Sequence, residues 1–584
     1  MLTDEKRKKL LAGALAVVML TGVAGCGNDK DSEWKSDNSA QNNQDEKKDE
    51  DNGGGFFHGF FPWYFIGRTF GVGPMAGVRT APAANQKQNA APAGSSTNTK
   101  PNANIANGST VQQGTAGSTQ SSKLGSTGTT GKSGIGSGMS PPAAAQFPEV
   151  MKMYKYRKPD TWLDKIDLNI MPYVDAPQWE NRYPTLSALL MSNANKRELQ
   201  RISAGLTAAL SRLAEALRTN NNGAMPFNLF NMTDKLTPYI LADNSDHVSY
   251  ISRLDFVKNT DGCYKLVEIN SDTPCALPET FYANKVAEAY FAKEYGLHLQ
   301  PRSDGEELAE PFLKLLEQPK YADKDVVRIA FAADKSYSED WANAKFLFER
   351  VQKVLREHIL SKQPFVCRLV GLDELIVHDD GVYIPNEIFK SKEDKLDILY
   401  RLHPLELLMD DESEDGYPVG LKLMELANFG AVDLVNPVKS IVLQNKALLA
   451  LAWYLYQHRL FWTPQEEELL AAHLTPTYLD SKPLAGQRYI KKPIFGREGA
   501  GIAIVEPDGA LSYEAEECDD CDLIYQQFVP SADVQQETDN GEATGKYTYS
   551  CFVINGKASE TFVRLQPGEI TGVEAYFVPV LDEI

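Results

Sequence analysis

The stretch YISRLDFVKNTDGCYKLVEIN, residues 250–270, alternates polar with apolar side chains at both ends and carries the turn signal Asp261-Gly262 between them. Period-two alternation about a turn predicts a β-hairpin. Residues two apart share a face of a strand, so Arg253 and Asp255 fall together on the first strand and Glu268 and Asn270 on the second. A turn centred near Asp261 sets Asp255 opposite Glu268 and Arg253 opposite Asn270, leaving Leu254, Phe256, Val267 and Ile269 for the buried face. Two carboxylates and an amide oxygen are hard ligands suited to Mg²⁺, which keeps waters and bridges to substrate phosphates. Arg253 beside them suits a transferring phosphoryl group. The same face also reads as a solvated one laced by cross-strand ion pairs. Ser271-Asp272-Thr273-Pro274, which follows, either ends the hairpin or holds a substrate.

A second segment, RYIKKPIFGREGAGIAIV at 488–505, runs from a basic strand end into a Gly-rich loop, Gly496 to Gly501, and out into the apolar run Ile502 to Val505. A phosphate-binding P-loop would lead into a helix and end in Gly-Lys-Ser/Thr, so the Walker and Rossmann readings both fail on context. Glycines between two strands can form a flap whose backbone N–H groups close over phosphates, with Lys492 as a point charge; a plain hairpin is the simpler alternative. Upstream, Gln444 to Leu449 starts a helix from which Lys446 can reach a phosphate. Downstream, Leu523 to Phe528 reads as a buried strand whose end, with Gln526, suits an adenine. Arg564 is placed to hold a substrate carboxylate in bidentate fashion.

Around these motifs the 584-residue chain is uneven. Leu199, Ile202, Leu206, Leu210, Leu213 and Leu217 form one apolar stripe at helical spacing, predicting a long amphipathic helix within 186–218. After Asp246 strands and helices alternate, which indicates an α+β or α/β enzyme body over 147–584. Residues 1–26 have a basic start, an apolar run from Leu10 to Leu20 and then Val23-Ala24-Gly25-Cys26, the order of a bacterial lipoprotein signal whose Cys26 is lipidated; a short apolar helix with an incidental cysteine is the plainer reading. Residues 27–146 are mostly polar or low in complexity, too poor in apolar surface to offset ordering entropy, and are expected to be a disordered tether. Its aromatic patch, 56–65, suits a membrane interface, a partner or no specific role.

The net charge of −20 with no basic stripe argues against nucleic-acid binding and is compatible with a cationic substrate such as a polyamine. The six cysteines besides Cys26 are too sparse for a disulfide framework, and Cys518-Asp519-Asp520-Cys521 lacks the second pair that a zinc site needs.

Taken in order, Arg-Leu-Asp-Phe at 253–256, Glu-Ile-Asn-Ser-Asp-Thr-Pro at 268–274, Asn-Lys-Ala at 445–447, Lys-Lys-Pro-Ile-Phe-Gly-Arg-Glu-Gly at 491–499 and Tyr-Gln-Gln at 525–527 resemble the glutathionylspermidine synthase family of the ATP-grasp superfamily. The resemblance implies an α+β fold in which ATP lies between two lobes, after a preATP-grasp-like region, beneath a flap carrying Gly496 and Gly499. It implies that Asp255, Glu268 and Asn270 bind Mg²⁺, that Arg253 stabilises the phosphoryl-transfer transition state, and that Lys446, Lys492 and Gln526 hold ATP. Thr273 and Arg564 would lie near a glutathione-like substrate and Glu406 on the amine side. The implied reaction joins a carboxylate to an amine through an acyl phosphate. Bifunctional members carry an N-terminal Cys/His amidase, but residues 1–146 hold only Cys26 and His58 of those types, so no amidase is expected. The match around His403 and Glu406 is loose, which leaves the acid and the amine as expectations at the level of the family. The export signal sits oddly with an ATP consumer. It leaves open a membrane-anchored lipoprotein with a non-catalytic domain of this fold, or a ligase domain that stays in the cytoplasm.

Overall fold

The computed structural model describes residues 152–154, 160–175, 182–219, 234–359, 364–389, 391–515 and 522–584. The lipoprotein-like signal at 1–26, the expected tether at 27–146 with its aromatic patch, and the Cys518-Cys521 pair lie outside the described residues.

The expected hairpin is present as Ile251–Lys258 and Tyr264–Asn270. It is one part of a six-stranded antiparallel sheet in which Ile251–Lys258 lies between its hairpin partner and the long strand Gly541–Ile554. Beyond that strand come Lys557–Gln566 and Tyr576–Val578, while Val534–Thr538 pairs with its start. The register sets Arg253 opposite Asn270 and Asp255 opposite Glu268, as alternation requires. One detail differs. A bulge after Asp255 pairs Phe256 with Leu266, so Leu266 and not Val267 joins Leu254, Phe256 and Ile269 in the core, and Val267 is half-buried. An extra residue in one strand shifts the inward alternation by one position, and nothing in the pattern of residues 264–270 announces it.

Against the apolar face of this sheet lies the helix Asn193–Thr219. All six leucine and isoleucine residues of its stripe are buried in the same core as Leu254, Phe256 and Ile269. A second sheet of five short strands is built from Thr477–Tyr478, Leu523–Gln527, Tyr489–Pro493, Ala503–Val505 and Leu511–Glu514 in that order. Leu523–Gln527 alternates between buried and half-buried instead of being buried throughout, with Ile524 and Gln526 inward. The loop linking Pro493 to Ala503 is the Gly-rich segment, so strand–loop–strand holds.

A third sheet is wholly parallel, in the order Asp433–Val435, Ile398–Arg401, Val327–Ala333, Phe365–Gly371. The run Val-Arg-Ile-Ala-Phe-Ala-Ala of its third strand is nearly all buried, as expected of a parallel strand covered on both faces. The fold is therefore mixed α+β, with antiparallel sheets carrying the phosphate-type motifs and a parallel sheet beside them. Among the described residues no helix is long and apolar enough to cross a membrane.

Candidate functional site

On the polar face of the hairpin the first strand's pair is covered, while Glu268 and Asn270 are half-buried. Asp255 is 1% exposed and Arg253 is 8% exposed. Arg253 grips Asp255 with a fork, Nε donating to Oδ1 at 2.8 Å and Nη2 to Oδ2 at 2.9 Å, while its Nη1 donates to the carbonyl of Cys275 at 2.9 Å. Arg564, arriving from Lys557–Gln566, donates from Nη2 to Asp255 Oδ2 at 2.8 Å. Burial works against the charge on Asp255, but Arg253 and then Arg564 overcome it and hold the carboxyl down at about 2. Asp255 is thus ionised at any ordinary pH.

Across the hairpin, Asn270 Nδ2 lies 3.3 Å from both Asp255 Oδ2 and Glu268 Oε1, so its amide bridges the two carboxylates. Glu268 keeps 29% of its side chain exposed and faces Lys446 Nζ at 3.6 Å. Among the described residues no group of three His, Cys, Asp or Glu side chains forms a metal cage. Two carboxylates, one of them held by two arginines, and an amide are the sparse oxygen set that Mg²⁺ uses when phosphates and water complete its shell. The residues present fit such an ion, provided the Asn270 amide turns its oxygen inward.

Lys446 is the first residue of the helix Lys446–Gln457, and Asn445 caps it by accepting from Ala447 N–H. That cap explains why the helix begins at Lys446 and not at Gln444. Lys446 Nζ also donates to the carbonyl of Gly496 at 2.6 Å, tying the Glu268 side of the hairpin to the Gly-rich loop. Lys492, 5% exposed, donates to Gln526 Oε1 at 2.8 Å and to the carbonyl of Val267 at 2.9 Å, the residue displaced by the bulge. Burial first, and the neighbouring Lys446 charge second, push the Lys492 ammonium down to about 7, with Glu268 partly opposing them. Gln526 Nε2 in turn donates to Thr477 Oγ1 at 2.9 Å, so the amide is held on both sides.

The Gly-rich loop folds down on 570–572. Gly499 has φ +78°, and a Cβ there would stand 3.2 Å from the carbonyl oxygen of Thr571; a Cβ on Gly572 would meet the Glu498 carbonyl oxygen at the same distance. These two glycines are where backbone meets backbone. Inside the loop, Arg497 pairs with Glu406 and reaches Thr273 Oγ1 at 3.5 Å. Thr273 and Glu406, two of the expected substrate-side residues, are therefore brought together by a third residue that sequence reasoning quoted in its motif but gave no role. Its signal was present: an arginine set between the glycines of the loop, Gly496 and Gly499. Arg564 lies on Asp255, donating to Oδ2, the same oxygen that faces Asn270.

Asp272 is the other residue left without a definite role, and it neither ends the hairpin loosely nor faces a substrate. It is fully buried, accepting from Arg401 Nη2 at 2.6 Å, the Leu405 N–H at 2.9 Å and Ser440 Oγ at 3.2 Å. Leu405 opens the short helix that carries Glu406. Asn436 closes the same corner, donating to the carbonyls of Ile251 and Asp272 and accepting from the N–H groups of Tyr250 and Ile251. Among the described residues Cys263, Cys275, Cys367 and Cys551 form no disulfide.

Residues 161–581 match the family model described as glutathionylspermidine synthase preATP-grasp. A curated Haemophilus influenzae protein titled "Putative acid--amine ligase" is 25% identical over 329 residues, which is 54% of this chain and 70% of that one. Among solved structures, a glutathione synthetase-like effector from Globodera pallida in apo form covers 71% of this chain and 95% of its own, at 10% identity and a TM-score of 0.43.

Proposed function

We propose, for a chain that belongs to the glutathionylspermidine synthase preATP-grasp family, that it is an ATP-dependent ligase joining a carboxylate to an amine with release of ADP. The single observation that carries this reading is the cluster of Arg253, Asp255, Glu268 and Asn270 on one hairpin face, linked through Lys446 to the carbonyl of Gly496 in the Gly-rich loop. The family implies use of ATP, and the curated relative's title names acid and amine as the joined groups.

In this reading Lys446, Lys492 and Gln526 hold the nucleotide, and the loop with Gly496 and Gly499 covers its phosphates. Asp255, Glu268 and Asn270 would hold Mg²⁺, which supplies charge neutralisation on the phosphates when bound. A substrate carboxylate attacks the γ-phosphate to give an acyl phosphate, and the amine then displaces phosphate to form the amide. Any group that orients the attacking carboxylate must stand beside those that orient the phosphoryl group. The position of Arg564 against Asp255, next to Arg253, supports its assignment to that task. Thr273 and Glu406, joined by Arg497, supply polar groups for the acid and the amine. Closing the loop onto 570–572 excludes water, which would otherwise hydrolyse the acyl phosphate.

Screening acids and amines for Mg²⁺-dependent ADP release tests the reading. Asp255→Asn and Glu268→Gln are expected to abolish turnover, and full turnover in both would refute the assigned metal site. We propose further that Cys26 anchors the chain to a bacterial membrane and that 27–146 spaces the ligase from it. Fractionation of cells carrying a C-terminal epitope checks this: loss of the epitope from membranes on Cys26→Ala is expected, and an unchanged soluble distribution overturns it.

A further inference from the structure

We propose that Arg564 is a placeholder for the divalent cation at Asp255, displaced when the cation enters and thereby delivered to the reacting groups. The inference rests on the ligase reading above and goes beyond it in assigning an exchange between two cations at one carboxylate.

The two arginines on Asp255 are anchored differently. Arg253 holds both carboxylate oxygens and has a third bond, from Nη1 to the Cys275 carbonyl, in a position 8% exposed. Arg564 makes one hydrogen bond to the carboxylate, at Oδ2, and keeps 18% of its side chain exposed. Its Nε is buried with no hydrogen-bond partner among the described residues. A buried guanidinium N–H left without an acceptor is costly, because the group has given up water and received nothing in return. Arg564 therefore rests on Asp255 in a position that does not satisfy it.

Asp255 Oδ2 is also the oxygen that faces Asn270, and through Asn270 it faces Glu268. A cation shared by the three expected ligands must approach this oxygen, where Arg564 Nη2 now stands 2.8 Å away. A Mg²⁺ ion sits about 2.0–2.1 Å from a ligand oxygen. An ion at that distance and a guanidinium at its present one would be close like charges in a buried corner, where repulsion is poorly screened. They exclude each other. Arg253 Nη2 also stands on this oxygen, at 2.9 Å, and feels the same repulsion, but its bonds to Oδ1 and to the Cys275 carbonyl anchor it, so Arg564, with its single bond, is the one that yields. The freed Arg564 gains acceptors for Nε and Nη2 from the phosphoryl or carboxylate oxygens that arrive with the substrates. Cation loading and arginine delivery then become one event, and an enzyme without the cation keeps this arginine out of reach of ATP.

Binding of Mn²⁺ to the full chain without nucleotide, followed by electron paramagnetic resonance, tests the exchange without relying on turnover. Arg564→Met and Arg564→Gln both remove the competing charge, and each is expected to tighten Mn²⁺ binding by about tenfold. Arg564→Lys keeps the charge and is expected to stay near the wild-type affinity. Adding Asp255→Asn to Arg564→Gln should abolish the gain, which locates it at this carboxylate. Unchanged or weaker Mn²⁺ binding in both neutral variants, with binding still sensitive to Asp255→Asn, overturns the placeholder role and leaves the metal site standing. No Mn²⁺ binding by any form, with ADP present as well, overturns the metal assignment and this inference together.

Discussion

Lys492 gives the sharpest test of the proposed nucleotide site, because its charge is set by the fold. Burial and the Lys446 charge push its ammonium down to about 7, so near pH 8 roughly nine-tenths of the free protein carries a neutral amine there, and near pH 6 about one-tenth. If Lys492 binds phosphate oxygens, ADP selects the charged form, and binding draws in the missing proton. The sign follows from that selection. The contribution to affinity is fully present below about pH 7 and is lost as pH rises through that value. Between pH 6 and pH 8 the ADP affinity attributable to this group should fall by about tenfold. Calorimetry of ADP binding in buffers of different ionisation enthalpy counts the protons directly. Wild type should take up about 0.9 proton more than Lys492→Met at pH 8 and only about 0.1 more at pH 6. The Met variant cancels protonation of the nucleotide itself. Equal proton uptake by wild type and variant at pH 8 would refute either the burial-driven shift or the contact with phosphate, and equal ADP affinities in the two proteins would single out the contact.

Three further outcomes follow from the packing. Gly499→Ala puts a side chain at φ +78° with Cβ 3.2 Å from the Thr571 carbonyl oxygen; the conformation alone costs about 1–2 kcal/mol, so ADP affinity should drop and the loop should be cut faster by protease. Asp272→Asn leaves the fully buried Arg401 without its countercharge and should destabilise by about 3–5 kcal/mol in a urea titration of wild type and variant side by side. Leu206→Ala, in the centre of the buried helical stripe, should cost about 2–5 kcal/mol on the same measure while leaving the affinity for ADP intact.

The hairpin and its register were legible because alternation and turn chemistry are local, and Arg253, Asp255, Glu268 and Asn270 are close in the sequence. The helical stripe was legible for the same reason. The bulge at Val267 was not, since an extra residue changes facing without changing composition, and it is this residue whose carbonyl receives Lys492. Contacts between distant segments were out of reach as well. Arg564 and Asp255 are 309 residues apart in the chain, and no local pattern encodes their pairing. The loop arginine, Arg497, was visible as a residue type but not as a partner of Glu406, because that pairing depends on the loop being folded down.

Asp272 explains how the two halves of the site stay in step. Its neighbours in the chain include Asn270, proposed to hold the metal, and Thr273, proposed to face the substrate. Its carboxylate fixes the Leu405 N–H at the start of the helix that presents Glu406, and accepts from Ser440 in the segment that runs on to Lys446. Its own N–H donates to Gln444 at 3.0 Å, two residues before Lys446. One buried carboxylate thus holds the hairpin end, the Glu406 helix and the approach to the Lys446 helix in fixed relation. Its countercharge, Arg401, ends a strand of the parallel sheet and also donates to the His403 carbonyl at 2.6 Å, so the ion pair is clamped from the sheet side as well. Breaking a buried pair of this kind leaves an uncompensated charge, whereas a pair exposed to water would yield and reform. The burial that makes Asp272 unavailable to a substrate is therefore what suits it to set the distance between the phosphoryl-type groups and the residues proposed to hold the acid and the amine.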